Sequence, residues 1–173
     1  MKDLERFIDD CRLAATQSAV REILEEAVSE PGRVLAAIGE PQRAGVQKLC
    51  VADDLTILNV IWGPRMTIMP HNHEMWALIG IYTGREDNIF WKRSDGRIKA
   101  AGARALSVKD VATLGRDIIH SVTNPIDRLT GAIHIYGGQF FNQPRREWDP
   151  ETLAEGAYSV EKTMRLFEES NRR

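Results

Sequence analysis

The residues Met69-Pro70-His71-Asn72-His73 constrain this chain more than any other stretch. Two histidines stand one residue apart in a region that otherwise reads as strand, Arg65 to Met69 and then Trp76 to Tyr82. A strand has a period of two, so both imidazoles point to one face. Neutral imidazoles aimed into one space begin a site for a divalent metal. The alternative is a pair of solvated side chains on an exposed strand. Two ligands rarely hold a metal, and the chain has only two further histidines, His120 and His134.

The rest of the chain suits an all-β core with helical termini. At 173 residues, with 43% hydrophobic and 28% charged residues, it reads as one globular domain. A net charge of −2 gives no reason to expect nucleic acid or an anionic membrane as partner. Cys11 and Cys50 show no metal or redox spacing, which fits a reducing, cytoplasmic setting. No apolar run approaches the ~20 residues of a membrane span, and the acidic start is no signal peptide. Residues 2–29 carry apolar side chains at helical spacing: Leu4, Phe7, Ile8, Cys11 and Ala14 or Ala15, then Val20, Ile23, Leu24, Ala27 and Val28. Gln17-Ser18 is the expected cap between two helices, and Arg33 to Ile38 the expected third. From Gly45 the pattern becomes β-branched and apolar, with turns at Asp53-Asp54, Gly63-Pro64 and Ser94-Asp95-Gly96. Eight or more short strands without an intervening helix exclude a doubly wound fold and suit a closed barrel. Asp149-Pro150 reads as the N-cap and first residue of a terminal helix. The expected layout is a single domain over 1–173, with a helical extension at 1–40, a barrel at 43–140 and a helix at 149–170.

Downstream of the histidine pair comes Gly115-Arg-Asp-Ile-Ile-His120-Ser-Val-Thr-Asn124. The HxH strand followed by a Gly-led turn and H-x-x-x-N resembles the two motifs of the cupin superfamily. That resemblance implies a double-stranded β-helix, the jelly-roll barrel, with His71, His73 and His120 on the metal. Cupins usually add a glutamate four or five residues after the second histidine. Ala77 and Leu78 stand there and cannot ligate. Glu74 and Glu86 read as solvated or supporting carboxylates rather than ligands. Three neutral ligands favour Fe(II) chemistry with a substrate and O2; Zn, Ni or Co would also fit.

Absence of that glutamate resembles the cysteine dioxygenase (thiol dioxygenase) family. Trp62-Gly63 before the HxH, His120-Ser-Val-Thr-Asn124, and Ile133-His134-Ile135-Tyr136 are similar to segments of that family, over about residues 43–140. The resemblance implies oxidation of a small carboxylated thiol to a sulfinate, with Tyr136 and its partner His134 as catalytic residues. Ala132 replaces the serine of the family's Ser-x-His relay. An arginine is expected to hold the carboxylate: Arg43, the favoured candidate, or Arg65; either could instead be a surface residue. The implied partners are a small molecule and O2. A cupin metalloenzyme of other chemistry and a non-catalytic metabolite-binding cupin are the alternatives, and the oligomeric state stays open.

Overall fold

The computed structural model describes residues 3–14 and 16–173. The expected helix start at residue 2 and the alternative apolar position Ala15 fall outside them. Three helices open the chain: α1 (Leu4–Leu13), α2 (Gln17–Ser29) and α3 (Pro31–Ile38). The cap of α2 is Thr16, whose hydroxyl accepts from the Ala19 N–H, rather than Gln17-Ser18. Gln17 reaches the barrel, donating to the carbonyl oxygens of Ala77 and Leu114.

Nine strands follow: β1 (Gly45–Val51), β2 (Thr56–Trp62), β3 (Thr67–Asn72), β4 (Ala77–Thr83), β5 (Arg85–Ser94), β6 (Arg97–Ser107), β7 (Val111–Leu114), β8 (Ile119–Thr123) and β9 (Thr130–Tyr136). Their pairing is nested. β5 pairs with β6, β4 with β7, β3 with β8 and β2 with β9, all antiparallel. The stretch β2–β9 is therefore one long hairpin whose tip is the turn at Asp95-Gly96. Successive segments of that hairpin lie alternately in two sheets, ordered β1-β2-β9-β4-β7 and, with two later strands at its edge, β3-β8-β5-β6. A hairpin coiled in this way is a double-stranded β-helix.

The strand period sorts the side chains. On β9, Ala132 and Tyr136 face the barrel interior with Leu58, Val60, Ile79 and Leu114, while Ile133 and Ile135 face outward beneath the helices. The central strands of the first sheet, β2, β9 and β4, are thus buried on both sides and read as nearly continuous apolar runs. Gly80 allows the close approach of α2: a Cβ there would lie 2.9 Å from the Leu24 side chain and 3.0 Å from that of Val28. Cys11 is buried in the same layer, and burial pushes its thiol up to about 12. Cys11 and Cys50 are both free thiols.

The C-terminal segment departs from expectation. The Asp149 side chain does accept from the Glu151 and Thr152 N–H groups. The turn ends at Leu153, whose φ of 56° is incompatible with continuing a helix. Two short strands pair instead, β10 (Arg146–Trp148) with β11 (Glu155–Ala157), and β10 joins β3 at the sheet edge. The terminal helix α4 (Val160–Ser170) starts later, capped by the Ser159 hydroxyl. It lies against the barrel, with Phe167 stacked on Trp62 at 5.3 Å between ring centroids. The Asn171 side chain accepts from the Ala44 N–H and donates to the Ala44 carbonyl. Among the described residues no helix is long and apolar enough to cross a membrane.

Adding a methyl at Gly80 overpacks the α2–β4 contact, at a cost of about 1–3 kcal/mol. Gly80→Ala is expected to lower the melting temperature by roughly 2–10 °C, read by thermal unfolding, with metal content unchanged.

Candidate metal centre

His71 on β3 lies opposite His120 on β8. The register between those strands slips after Ile68, which pairs with Val122, so that three residues of β3 span two of β8. The slip falls at Met69-Pro70, where proline has no N–H for the ladder. This bulge turns His71 to the same side as Ile68, against strict alternation. His73 follows the end of β3, and its ring returns over the other two. Its Nε2 lies 3.2 Å from His71 Nε2 and 3.2 Å from His120 Nε2. His71, His73 and His120 form a buried group whose ligand atoms all lie within 4.8 Å of one another.

Hydrogen bonds on the far sides of the rings aim the lone pairs. His71 Nδ1–H donates to the Met69 carbonyl at 3.0 Å, and His120 Nδ1–H donates to Asn88 Oδ1 at 2.7 Å. Both Nε2 atoms then carry bare lone pairs. One N–H from His73 would have to serve two acceptors, whereas a cation serves all three. Nitrogens about 2.1 Å from a shared metal, at ligand angles near 90–109°, lie about 3.0–3.4 Å apart, so the observed spacing fits. Burial, ahead of smaller electrostatic effects, lowers the pKa of His71 to about 4 and holds those of His73 and His120 well below the usual imidazole value. All three are neutral, ligand-ready imidazoles at pH 7. Ala77 and Leu78 are buried and carry no donor atom. Glu74 turns aside at φ 56° to accept from Asn72 Nδ2.

Beside this group stands Tyr136, its ring 5.1 Å from that of His73 and its hydroxyl 3.1 Å from His134 Nδ1. Burial raises the Tyr136 pKa, keeping the phenol protonated. Ala132 is buried on the same face and offers no hydroxyl. His134 Nε2 instead lies 3.1 Å from Glu86 Oε2. Glu86 on β5, fully buried, also accepts from Trp62 Nε1 at 2.8 Å and Asn88 Nδ2 at 3.0 Å. Asn124 of the second motif staples the barrel: its Nδ2 donates to the Gly63 and Arg128 carbonyls and its Oδ1 accepts from Thr130. A cavity of about 30 Å³ is lined by His71, His120, His134, Tyr136, Phe140 and Tyr158, with Thr163, Met164 and Phe167 of α4 among its other walls.

Neither arginine singled out in the sequence lines that cavity. The Arg43 side chain is 65% exposed and pairs with Glu168; that of Arg65 is 61% exposed and pairs with Asp127. A third arginine is not among the cavity's walls either, but it packs against two of them. Arg145 is 6% exposed and lies between the Phe140 and Tyr158 rings, 4.1 Å from each centroid. Nη1 donates to the carbonyls of Phe140 and Gln143. Nε and Nη2 are buried with no hydrogen-bond partner within 3.5 Å among the described residues, while the Tyr158 side chain favours the charged guanidinium. Phe140 in turn stacks on Tyr136 at 4.2 Å, and the Tyr158 ring lies 5.7 Å from His71. Burial lowers the Arg145 pKa, but from so high a value that it remains a cation. No sequence signal marked it, because it follows the barrel in a segment of no regular pattern. Glu86 was visible beside the Gly84 turn, but its partners were not.

No family model matches the sequence. Among solved structures, a Bacillus halodurans protein superposes with a TM-score of 0.51 at 17% identity, over 65% of this chain and 77% of that one. The fold is a double-stranded β-helix. A Methanocaldococcus jannaschii RmlC-like cupin with a double-stranded β-helix gives 0.49 at 9% identity, over 58% and 84% of the two chains. A Klebsiella pneumoniae protein with a double-stranded β-helix domain gives 0.44 at 11%, over 69% and 90%. At such identities the likeness concerns the fold, and chemistry must be argued from the side chains.

His120→Ala should abolish stoichiometric binding of a divalent metal, measured by elemental analysis after loading and desalting; full retention would refute the assignment. A second expectation concerns the metal-free protein. The histidine pKa values are lower folded than unfolded, so the unfolded chain binds more protons below about 6.5. Stability is therefore fully present above that pH and is lost as pH falls toward about 4. Melting temperatures recorded across this window check it.

Proposed function

We propose that this cupin is an iron-dependent dioxygenase that converts a small carboxylated thiol to its sulfinate. The observation that carries the reading is Arg145, a buried guanidinium with two unpartnered nitrogens, packed on the Phe140 and Tyr158 rings that line the cavity of the three convergent imidazoles. Leaving such donors unpaired is costly, and an anion at that place satisfies both. A carboxylate matches the planar fork of N–H groups. The substrate would therefore carry a carboxylate at Arg145 and turn its reacting group toward His71, His73 and His120.

A divalent iron held by those histidines would supply the one-electron chemistry that lets dioxygen react with a thiol. The chain's own residues do the rest. Arg145 fixes the carboxylate end, with its charge held between Phe140 and Tyr158. The Tyr136 hydroxyl, steadied by His134, offers a polar contact at the reacting end. Leu58, Val60, Phe140 and Phe167 keep the cavity apolar and exclude water. The stoichiometry is R–SH + O2 → R–SO2H, with both oxygen atoms on sulfur.

The iron-loaded protein should consume oxygen with cysteine or 3-mercaptopropionate and yield the sulfinate. Arg145→Ala removes a charge-assisted contact of about 1.5–3 kcal/mol. That corresponds to a ten- to hundredfold loss in kcat/KM for the acids, with little change for cysteamine. Arg43→Ala and Arg65→Ala serve as comparisons and should behave as wild type. Tyr136→Phe should retain iron and lose roughly ten- to a hundredfold in turnover. Iron-loaded protein that leaves every small thiol untouched would point to other cupin chemistry on a carboxylate, or to a metabolite-binding role.

A further inference from the structure

Glu86 lies outside the group of convergent ligands, yet it is a fully buried carboxyl contacted by three nitrogen groups. Their chemistry fixes the direction of each hydrogen bond. An indole nitrogen can only donate, so Trp62 Nε1 gives its proton to Oε2. The Asn88 amide turns its oxygen to His120 Nδ1 and its nitrogen to Glu86 Oε1. A carboxylate, which only accepts, satisfies both and leaves Oε2 to accept from His134 Nε2 as well. With its proton on Nε2, His134 presents a bare Nδ1 to Tyr136, and the tyrosine O–H donates to it at 3.1 Å.

We propose that Glu86 is a positioning residue that sets the direction of two hydrogen-bond chains at the metal centre: Glu86–His134–Tyr136 and Glu86–Asn88–His120. Along the first, the Tyr136 proton points away from the cavity, and the phenol oxygen faces the cavity as an acceptor. Along the second, His120 keeps its proton on Nδ1 and its Nε2 lone pair on the metal side. The carboxylate at one point thus does for His134 what Ala132, lacking a hydroxyl, cannot, and braces His120 as well. This arrangement is independent of the reaction catalysed.

A glutamine cannot reproduce it. Whichever way the Glu86→Gln amide is turned, its NH2 group faces a donor, either Trp62 Nε1 or Asn88 Nδ2. Facing His134, that NH2 favours the opposite tautomer, with the proton on Nδ1 and the Tyr136 O–H released toward the cavity.

The test is a long-range 1H–15N spectrum of histidine-labelled, full-length protein loaded with Zn(II). The four histidines are few enough to assign with a His134→Asn variant. Wild type should show His134 protonated on Nε2 and Glu86→Asp should keep that state, while Glu86→Gln should move the proton to Nδ1 when its NH2 faces His134, or else, with its NH2 against Asn88, loosen the brace on His120 and show as weaker Zn(II) binding. Zn(II) affinity, measured by competition with a chelating dye, should fall about ten- to a hundredfold in Glu86→Gln and less in Glu86→Asp. Wild-type His134 protonated on Nδ1 would overturn the proposal even if every variant failed to fold. So would a folded Glu86→Gln protein with an unchanged tautomer and unchanged Zn(II) affinity.

Discussion

A bulge of one residue in β3 sets the position of the whole histidine cluster. Without the extra length at Met69-Pro70, position 70 rather than 71 would stand opposite His120 on β8. A slip of one residue in a strand exchanges its two faces, and His71 would then face away from the cluster. Proline makes the register durable, because it cannot donate to the ladder at that place. The other parts of the site follow from the same pairing. β8 holds His120 beside β5, where Phe90 is its cross-strand partner, and β5 brings Asn88 and Glu86 to the inner side.

The interior is consequently less like an oily core than its composition implies. Four histidines, a glutamate, an asparagine and a tyrosine are buried in the inner part of the barrel. Buried polar groups are tolerated when each finds a partner, and here nearly all do so within one connected set. Trp62 shows the economy of the arrangement. Its ring packs on Phe167 while its N–H serves Glu86, so one side chain closes the apolar end of the barrel and satisfies the charge.

The sequence made the barrel and the histidines legible because both express a local period. Alternation along β9 placed Ala132, His134 and Tyr136 on one face, as found, and the HxH with H-x-x-x-N named the three residues that converge. What stayed hidden depended on contacts between distant segments. Asp149 does cap a turn, yet the helix waits until Ser159 because the intervening residues pair with β10. Arg43 and Arg65 resembled candidates by their distance from motifs, whereas Arg145 comes near the site only through its packing between Phe140 and Tyr158. Ala132 read as a missing relay member; the position that takes over, Glu86, lies 46 residues earlier in the sequence and meets His134 only across the barrel.

One consequence of α4 concerns time rather than space. The three convergent histidines are complete in the chain by residue 120, but the wall formed by Thr163, Met164 and Phe167 comes from residues made later, and Asn171 closes it onto Ala44. During synthesis from the N-terminus, the imidazoles exist before the surface that covers them. That interval gives a cation direct access to the cluster from solvent. Afterwards that wall is a helix tied down by Lys162 to Glu147 at one end and by Asn171 at the other. The order of residues along the chain thus presents the imidazoles before the helix that covers them.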